Sequence, residues 1–169
     1  MSSLEARPMD HRPSPTIKAL FDKRVVVNCW NAESVPRSYD NVLCHFPIDV
    51  RAPMLSGAKL KPTPILRAAR HPRCSLPMIL VAYPTSKLKE HRAQDLVIVD
   101  PNEARKCGFN SPTRIDLDPQ RNMCWLPWSL EFFPDGESCG SLTPYWIKAL
   151  QLRLPRATSL PTFHELSRF

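Results

Sequence analysis

From Asn41 onward the chain alternates between apolar and polar positions. In "NVLCHFPI", Val42, Cys44 and Phe46 fall on one side of an extended strand, and Leu43 and His45 on the other. A period of two is the signature of a half-buried strand. Pro47 ends it or marks a sheet edge. A loop is expected through "DVRAPMLSGAKLK", then a second strand in "TPILRAA" with Pro62 and Pro64 at its beginning. "LPMILVAYPTS" is a third strand and the most apolar, "QDLVIVD" a fourth, and "TRIDLD" a fifth that alternates. "MCWLPWSLEFF" reads as a last strand and turn. Upstream, "TIKALFDK" predicts two helical turns, "RVVVNCW" a β-branched strand, and "NAESVPRSYD" a loop.

Two helices carry their own boundary signals. "PNEARKCGF" follows Asp100, a suitable N-cap, has Pro101 at its first position, and meets Gly108 as a stop. "SLTPYWIKALQLRL" has Thr143 as candidate N-cap and Pro144 at N1. Leu142, Trp146, Ala149 and Leu150 lie near one face, and Arg153 in the last turn suits the helix dipole. Several short strands, few crossover helices and a closing helix predict a mainly β fold, a small curled antiparallel sheet or barrel. The domain is expected over residues 41–154, with 1–40 a partly disordered extension and 155–169 a tail.

Composition sharpens this picture at one point. The 169 residues include 19 prolines and only 4 glycines, which favours short elements and rigid loops over a helical bundle. Six cysteines occur, with no C-x-x-C spacing and no histidine pair to complete a zinc pattern. No stretch approaches the roughly 18 apolar residues of a membrane span, and the polar, proline-bearing start lacks the apolar run of a signal peptide. A cytoplasmic protein with free thiols, bound to no membrane and needing no cofactor, is the expectation.

Charge is uneven. The formal net charge is +7. Between Asp49 and Glu90 there is no acid, while Arg51, Lys59, Lys61, Arg67, Arg70, Arg73, Lys87 and Lys89 all fall in that interval. The rest of the chain is close to neutral. A localised excess points to an anionic partner; a solvated basic face with no partner is the alternative. The chain has no phosphate-binding G-x-x-x-x-G-K-[ST] loop, no H-E-x-x-H and no G-x-S-x-G. Chemistry centred on the tract would run without a metal, since the tract holds no carboxylate. RNA cleavage fits that restriction: the substrate supplies its own 2′-OH nucleophile, and the protein needs a base, an acid and cations near the phosphate. Lys59 and Lys61 project to one side of an extended segment, with Leu60 opposite.

The segments "NVLCHFPID", "KLKPTPILRA", "MILVAYPTSK" and "DLVIVD", in that order, resemble the MazF/PemK-like toxins. That family shows a strand of the type V-L-V-x-F-P, a basic loop R-P-A-L-V-L, and a strand ending P-x-T-S. The resemblance covers roughly Asn41 to Asp100 and extends more loosely to "GFNSPTRIDLD" and "LPWSLEFF". It implies an SH3-like small barrel of the MazF/PemK/CcdB type with a C-terminal helix. It implies a homodimeric toxin of a toxin–antitoxin pair, a growth inhibitor that cleaves single-stranded RNA without metal and is covered by an acidic antitoxin. The family's catalytic arginine falls on Lys61 and its threonine on Thr85, followed by Ser86. Lysine is a point charge where arginine offers a rigid fork, so a catalytically impaired binding module is one alternative. A CcdB-like inhibitor of a protein target is another. The candidate catalytic residues are Lys61, Thr85 and His45; the candidate RNA-binding residues are Lys59, Ser86, Lys87 and Arg67. Each has a plainer reading: a structural strand histidine, strand-end turn formers, or lysines guarding an edge strand. Trp125 and Trp128, beside Phe132 and Phe133, read as core, with base stacking as the alternative.

Overall fold

Alternation and apolar runs become strands in the computed structural model, which describes residues 17–19, 26–50, 56–71 and 75–155. The short strands β1 (Ile17–Ala19) and β2 (Val26–Asn28) pair antiparallel. The segment expected to open a helix therefore contributes a strand at Ile17–Ala19. Then come β3 (Asp40–Pro47), β4 (Ser56–Arg70), β5 (Pro77–Thr85) and β6 (Leu96–Ile98). Helix α1 (Pro101–Lys106) is followed by β7 (Thr113–Asp116), β8 (Met123–Pro127), β9 (Ser138–Ser141) and helix α2 (Pro144–Arg153).

Strand β5 organises the molecule because it is apolar on both faces. Met78, Leu80 and Ala82 enter one core with Leu96, Ile98, Ile115, Trp125 and Leu150. Ile79 and Val81 enter a second core with Val42, Cys44, Phe46, Ile65, Trp128 and Phe133. Each fully buried aliphatic side chain contributes roughly 1.5–3 kcal/mol of transfer free energy, so a strand feeding two cores anchors both. Trp125 and Trp128 are core residues, 6% and 0% exposed. The expected phase of β3 is found: Val42, Cys44 and Phe46 are buried, while Leu43 and His45 are half-buried. The packed unit also takes in residues before Asn41. Trp30 is buried in the second core, and its Nε1 donates to the Phe133 carbonyl at 2.7 Å.

The main sheet has seven strands in the order β6-β7-β5-β4-β3-β9, with β8 also on β5. All of its pairings are antiparallel. It does not close on itself. Strand β4 turns the corner: its first half pairs with β3, from Ser56 opposite Pro47 to Pro64 opposite Asn41, and its second half with β5, from Ile65 opposite Val81 to Arg70 opposite Pro77. The expected loop through Lys61 is thus strand from Ser56 onward. Pro62 and Pro64, two residues apart, leave their missing N–H on one and the same edge. In this half β4 is paired with β3 alone among the described residues, so the prolines cost the sheet no bond there. Past Val81, β5 leaves β4 and pairs with β7, Tyr83 opposite Asp116 and Thr85 opposite Arg114. The Tyr83 N–H donates to Asn122 O at 2.9 Å on the β8 side, so β7 occupies the edge that β4 vacates.

The helices follow their caps. The Asp100 carboxylate accepts the N–H groups of Asn102 at 2.7 Å and Glu103 at 2.9 Å, and these bonds hold it below its ordinary range. Gly108 ends α1 at φ +88°, where a Cβ would also strike the Cys139 carbonyl. Thr143 makes no side-chain cap bond on α2; that helix is held by Leu142, Trp146, Ala149 and Leu150 against the first core. No helix among the described residues is long and apolar enough to cross a membrane. Five described cysteines are free thiols, four of them buried.

Candidate functional site

Cross-strand partners in an antiparallel sheet project from the same face. Lys61 stands opposite Cys44, so it emerges on the face of the second core, at its rim. Its ammonium donates to the Tyr83 hydroxyl at 2.7 Å and to the Pro84 carbonyl at 3.2 Å. Nζ also lies 4.2 Å from the centroid of the Tyr83 ring, a cation–π distance. Tyr83 follows Ile79 and Val81 on the same side of β5, and its ring meets Phe46 edge-on with centroids 5.1 Å apart. A cleft of about 290 Å³ opens here, walled by Phe46, Pro47, Ile48 and Val50 and lined by Lys59, Lys61, Tyr83, Arg121 and Asn122. Among the described residues no carboxylate lines it. Gly57 also lines it, and a Cβ there would lie 2.2 Å from the Phe46 carbonyl oxygen.

A second cleft, about 450 Å³, lies on the other side of Tyr83 and shares Tyr83, Arg121 and Asn122 with the first. Thr85, Lys87, Glu90, Arg92, Arg114 and Asp116 complete it. Thr85 Oγ1 accepts the Lys87 N–H at 3.2 Å. Arg114, opposite Thr85, is 7% exposed. It sits between Asp95 Oδ2 at 3.6 Å and Asp116 Oδ2 at 3.7 Å, and it donates to the Glu90 carbonyl. Its Nε is buried without a partner among the described residues. Asp95 is fixed by the N–H groups of Arg92 at 2.9 Å and Leu117 at 3.4 Å.

The shared wall is a turn built on Asp118. Its carboxylate accepts the Gln120 N–H at 2.9 Å and pairs with Arg92 at 2.6 Å, while its carbonyl accepts the Asn122 N–H at 2.9 Å. Burial pushes the Asp118 carboxyl upward, but the Gln120 and Arg92 hydrogen bonds and the charges of Arg92 and Arg121 outweigh it and hold the group below its ordinary range.

The expected site residues are partly assembled by this geometry. Lys59 and Lys61 line the first cleft, Thr85 and Lys87 the second, and Lys61 reaches the carbonyl of the residue before Thr85. His45 pairs with Leu60, so it projects from the opposite face to Lys61 and lines neither cleft; its Nδ1 is buried without a partner. Ser86 and Arg67 are exposed and line neither cleft. Arg51 and Arg73 lie outside the described residues. Among the described residues, no three His, Cys, Asp or Glu side chains are grouped to hold a metal ion.

Sequence reasoning passed over Tyr83, Arg114, Asp116, Arg121 and Asn122. One signal was available. Tyr83 and Thr85 are two apart at the end of an apolar strand, and Arg114 and Asp116 two apart in "TRIDLD", so each pair shares a face. No family model, curated protein or solved structure matches the chain.

Proposed function

We propose that this protein is a metal-independent endoribonuclease acting on single-stranded RNA, a divergent relative of the MazF/PemK-like toxins with its curled sheet a variant of their small SH3-like barrel. The observation that carries the reading is the pair of clefts meeting at Tyr83. One is lined by three cations and, among the described residues, no acid; the other sets a buried carboxylate, Asp116, on the same face as Thr85. Lys59 and Lys61 beside an apolar wall suit a phosphodiester and its base. Lys61 places charge at the scissile phosphate and Thr85 offers a hydroxyl donor. Asp116 takes the proton of the 2′-OH as its oxygen attacks phosphorus. His45 has no part in this arrangement. An acidic antitoxin segment would lie across the acid-free cleft.

Binding without catalysis is a second reading, favoured by one observation: two of the three Lys61 N–H donors are already engaged within the fold. Incubating the full chain with mixed-sequence single-stranded RNA in EDTA decides between them. Cleavage to 2′,3′-cyclic phosphate and 5′-OH ends is expected. RNA left intact from about pH 6 to about pH 9, yet retained by the protein, overturns the nuclease and leaves the binding module.

A further inference from the structure

The Lys61–Tyr83 pair has a direction. An ammonium has donors and no acceptor, so in the 2.7 Å bond the phenol oxygen accepts. The phenol's own hydrogen is therefore not used in that bond, and among the described residues no acceptor takes it. The ring cannot easily turn away. Phe46 packs edge-on against it, the Lys61 ammonium lies over it, and its backbone N–H is bonded to Asn122. Tyr83 lines both clefts, and its partner across the ladder is Asp116. A proton donor and a proton acceptor thus stand side by side on neighbouring strands, facing the same way.

We propose that Tyr83 is the catalytic acid of the RNA-cleaving reaction and that Lys61 is its positioning residue. This rests on the nuclease reading above. The 2′-oxygen bonds to phosphorus as its proton passes to Asp116. The bond from phosphorus to the 5′-oxygen breaks, and the electron pair leaves with that oxygen, which takes the Tyr83 proton. The phenolate left behind is stabilised by the Lys61 ammonium, whose charge is nearest the oxygen where negative charge develops. Tyr83 recovers a proton from water, and Asp116 returns one, as the cyclic phosphate and the 5′-OH product depart. The lysine found where the resembled family has arginine then has a use suited to lysine: a compact cation aimed at one oxygen.

The test is single-turnover cleavage of one defined single-stranded RNA by the wild type, Tyr83→Phe and Lys61→Met. It is run with the natural 5′-oxygen and with a sulfur at that bridging position, a leaving group that needs no proton. Tyr83→Phe keeps the ring and its packing. It is expected to lower the rate on the natural ester about 10²–10⁴-fold while binding of the 2′-O-methyl oligonucleotide stays unchanged. On the sulfur substrate its rate returns to nearly that of the wild type. Lys61→Met is slow on oxygen and recovers only in part on sulfur, because the charge that Lys61 places at the scissile phosphate is lost on both substrates. Natural-ester cleavage by Tyr83→Phe at the wild-type rate, or a loss that sulfur does not restore, overturns the assignment while the nuclease reading stands. A wild type inactive on both substrates overturns the nuclease reading itself, and Tyr83 catalysis with it.

Discussion

On one side of Tyr83, Lys59, Lys61 and Arg121 line a cleft with no carboxylate among the described residues. On the other, Arg92 and Arg114 stand among Glu90, Asp95, Asp116 and Asp118. Both clefts are rich in cations, but among the described residues Lys59 and Lys61 of the first have no carboxylate partner, whereas the shared Arg121 acts on Asp118. Paired charges at short range serve mainly to fix geometry; unpaired ones at a surface are available to a polyanion. Under the proposed function, the contrast would give the first cleft the phosphate and the second the fixed geometry and the proton transfer.

The largest effect should come from breaking the buried pairs. Arg114→Met preserves much of the side-chain volume and leaves Asp95 and Asp116 facing each other without their cation. Both carboxylates are buried, with side chains 0% and 7% exposed. Removing one partner from such a group costs about 3–5 kcal/mol, so the denaturant midpoint should fall well below that of the wild type. An unchanged midpoint sinks the view that these charges are structural.

Much of this frame was legible in the chain, and the illegible parts have physical causes. The alternation of Val42, Cys44 and Phe46 located β3, and the caps Asp100 and Gly108 bounded α1. The start of β4 was hidden because Pro62 and Pro64 read as a strand beginning, a rule that fails where one edge of a strand has no partner. Strand β9 carries no large apolar residue in "SCGS" and exists through its backbone pairing with β3. Lys59, Lys61 and Thr85 were legible as candidates because their residue types suit a phosphate. Their meeting with Tyr83 and Arg114 was not, because it depends on β5 exchanging β4 for β7 along one edge. The β3–β4 register puts His45 on the far face from Lys61, which no local pattern could tell.

A smaller effect tests the wall between the clefts. The Asp118 carboxyl is held below its ordinary range in the fold. A lowered folded value contributes stability that is present above the unfolded value, about 3.9, and that is lost as pH falls through the folded value. Asp118→Asn should therefore be less stable than the wild type at neutral pH by about 1 kcal/mol, the scale of a partly exposed pair. The two proteins should converge as the medium is acidified below about pH 4. Thermal unfolding across that range measures it; a gap that stays constant into acid assigns the loss to something other than the carboxylate's charge.

The smallest effect is the most direct measure of the difference between the clefts. Lys59 is exposed, lines the first cleft and has no acidic neighbour there among the described residues. Arg92 lines the other cleft and is already paired with Asp118 at 2.6 Å. Each contact between a cation and a single-stranded phosphate adds about 0.7 to the slope of log affinity against log salt. Lys59→Ala should lower that slope by about this amount, with only a modest loss of affinity and no change in the unfolding midpoint. Arg92→Gln should leave the slope nearly where it was, because the charge it removes is neutralised within the fold and not by RNA. Fluorescence anisotropy of a labelled 2′-O-methyl oligonucleotide over a salt series reads both. Equal slopes for the two variants mean that phosphate does not discriminate between the clefts, and the division of labour drawn from their charges then has no basis.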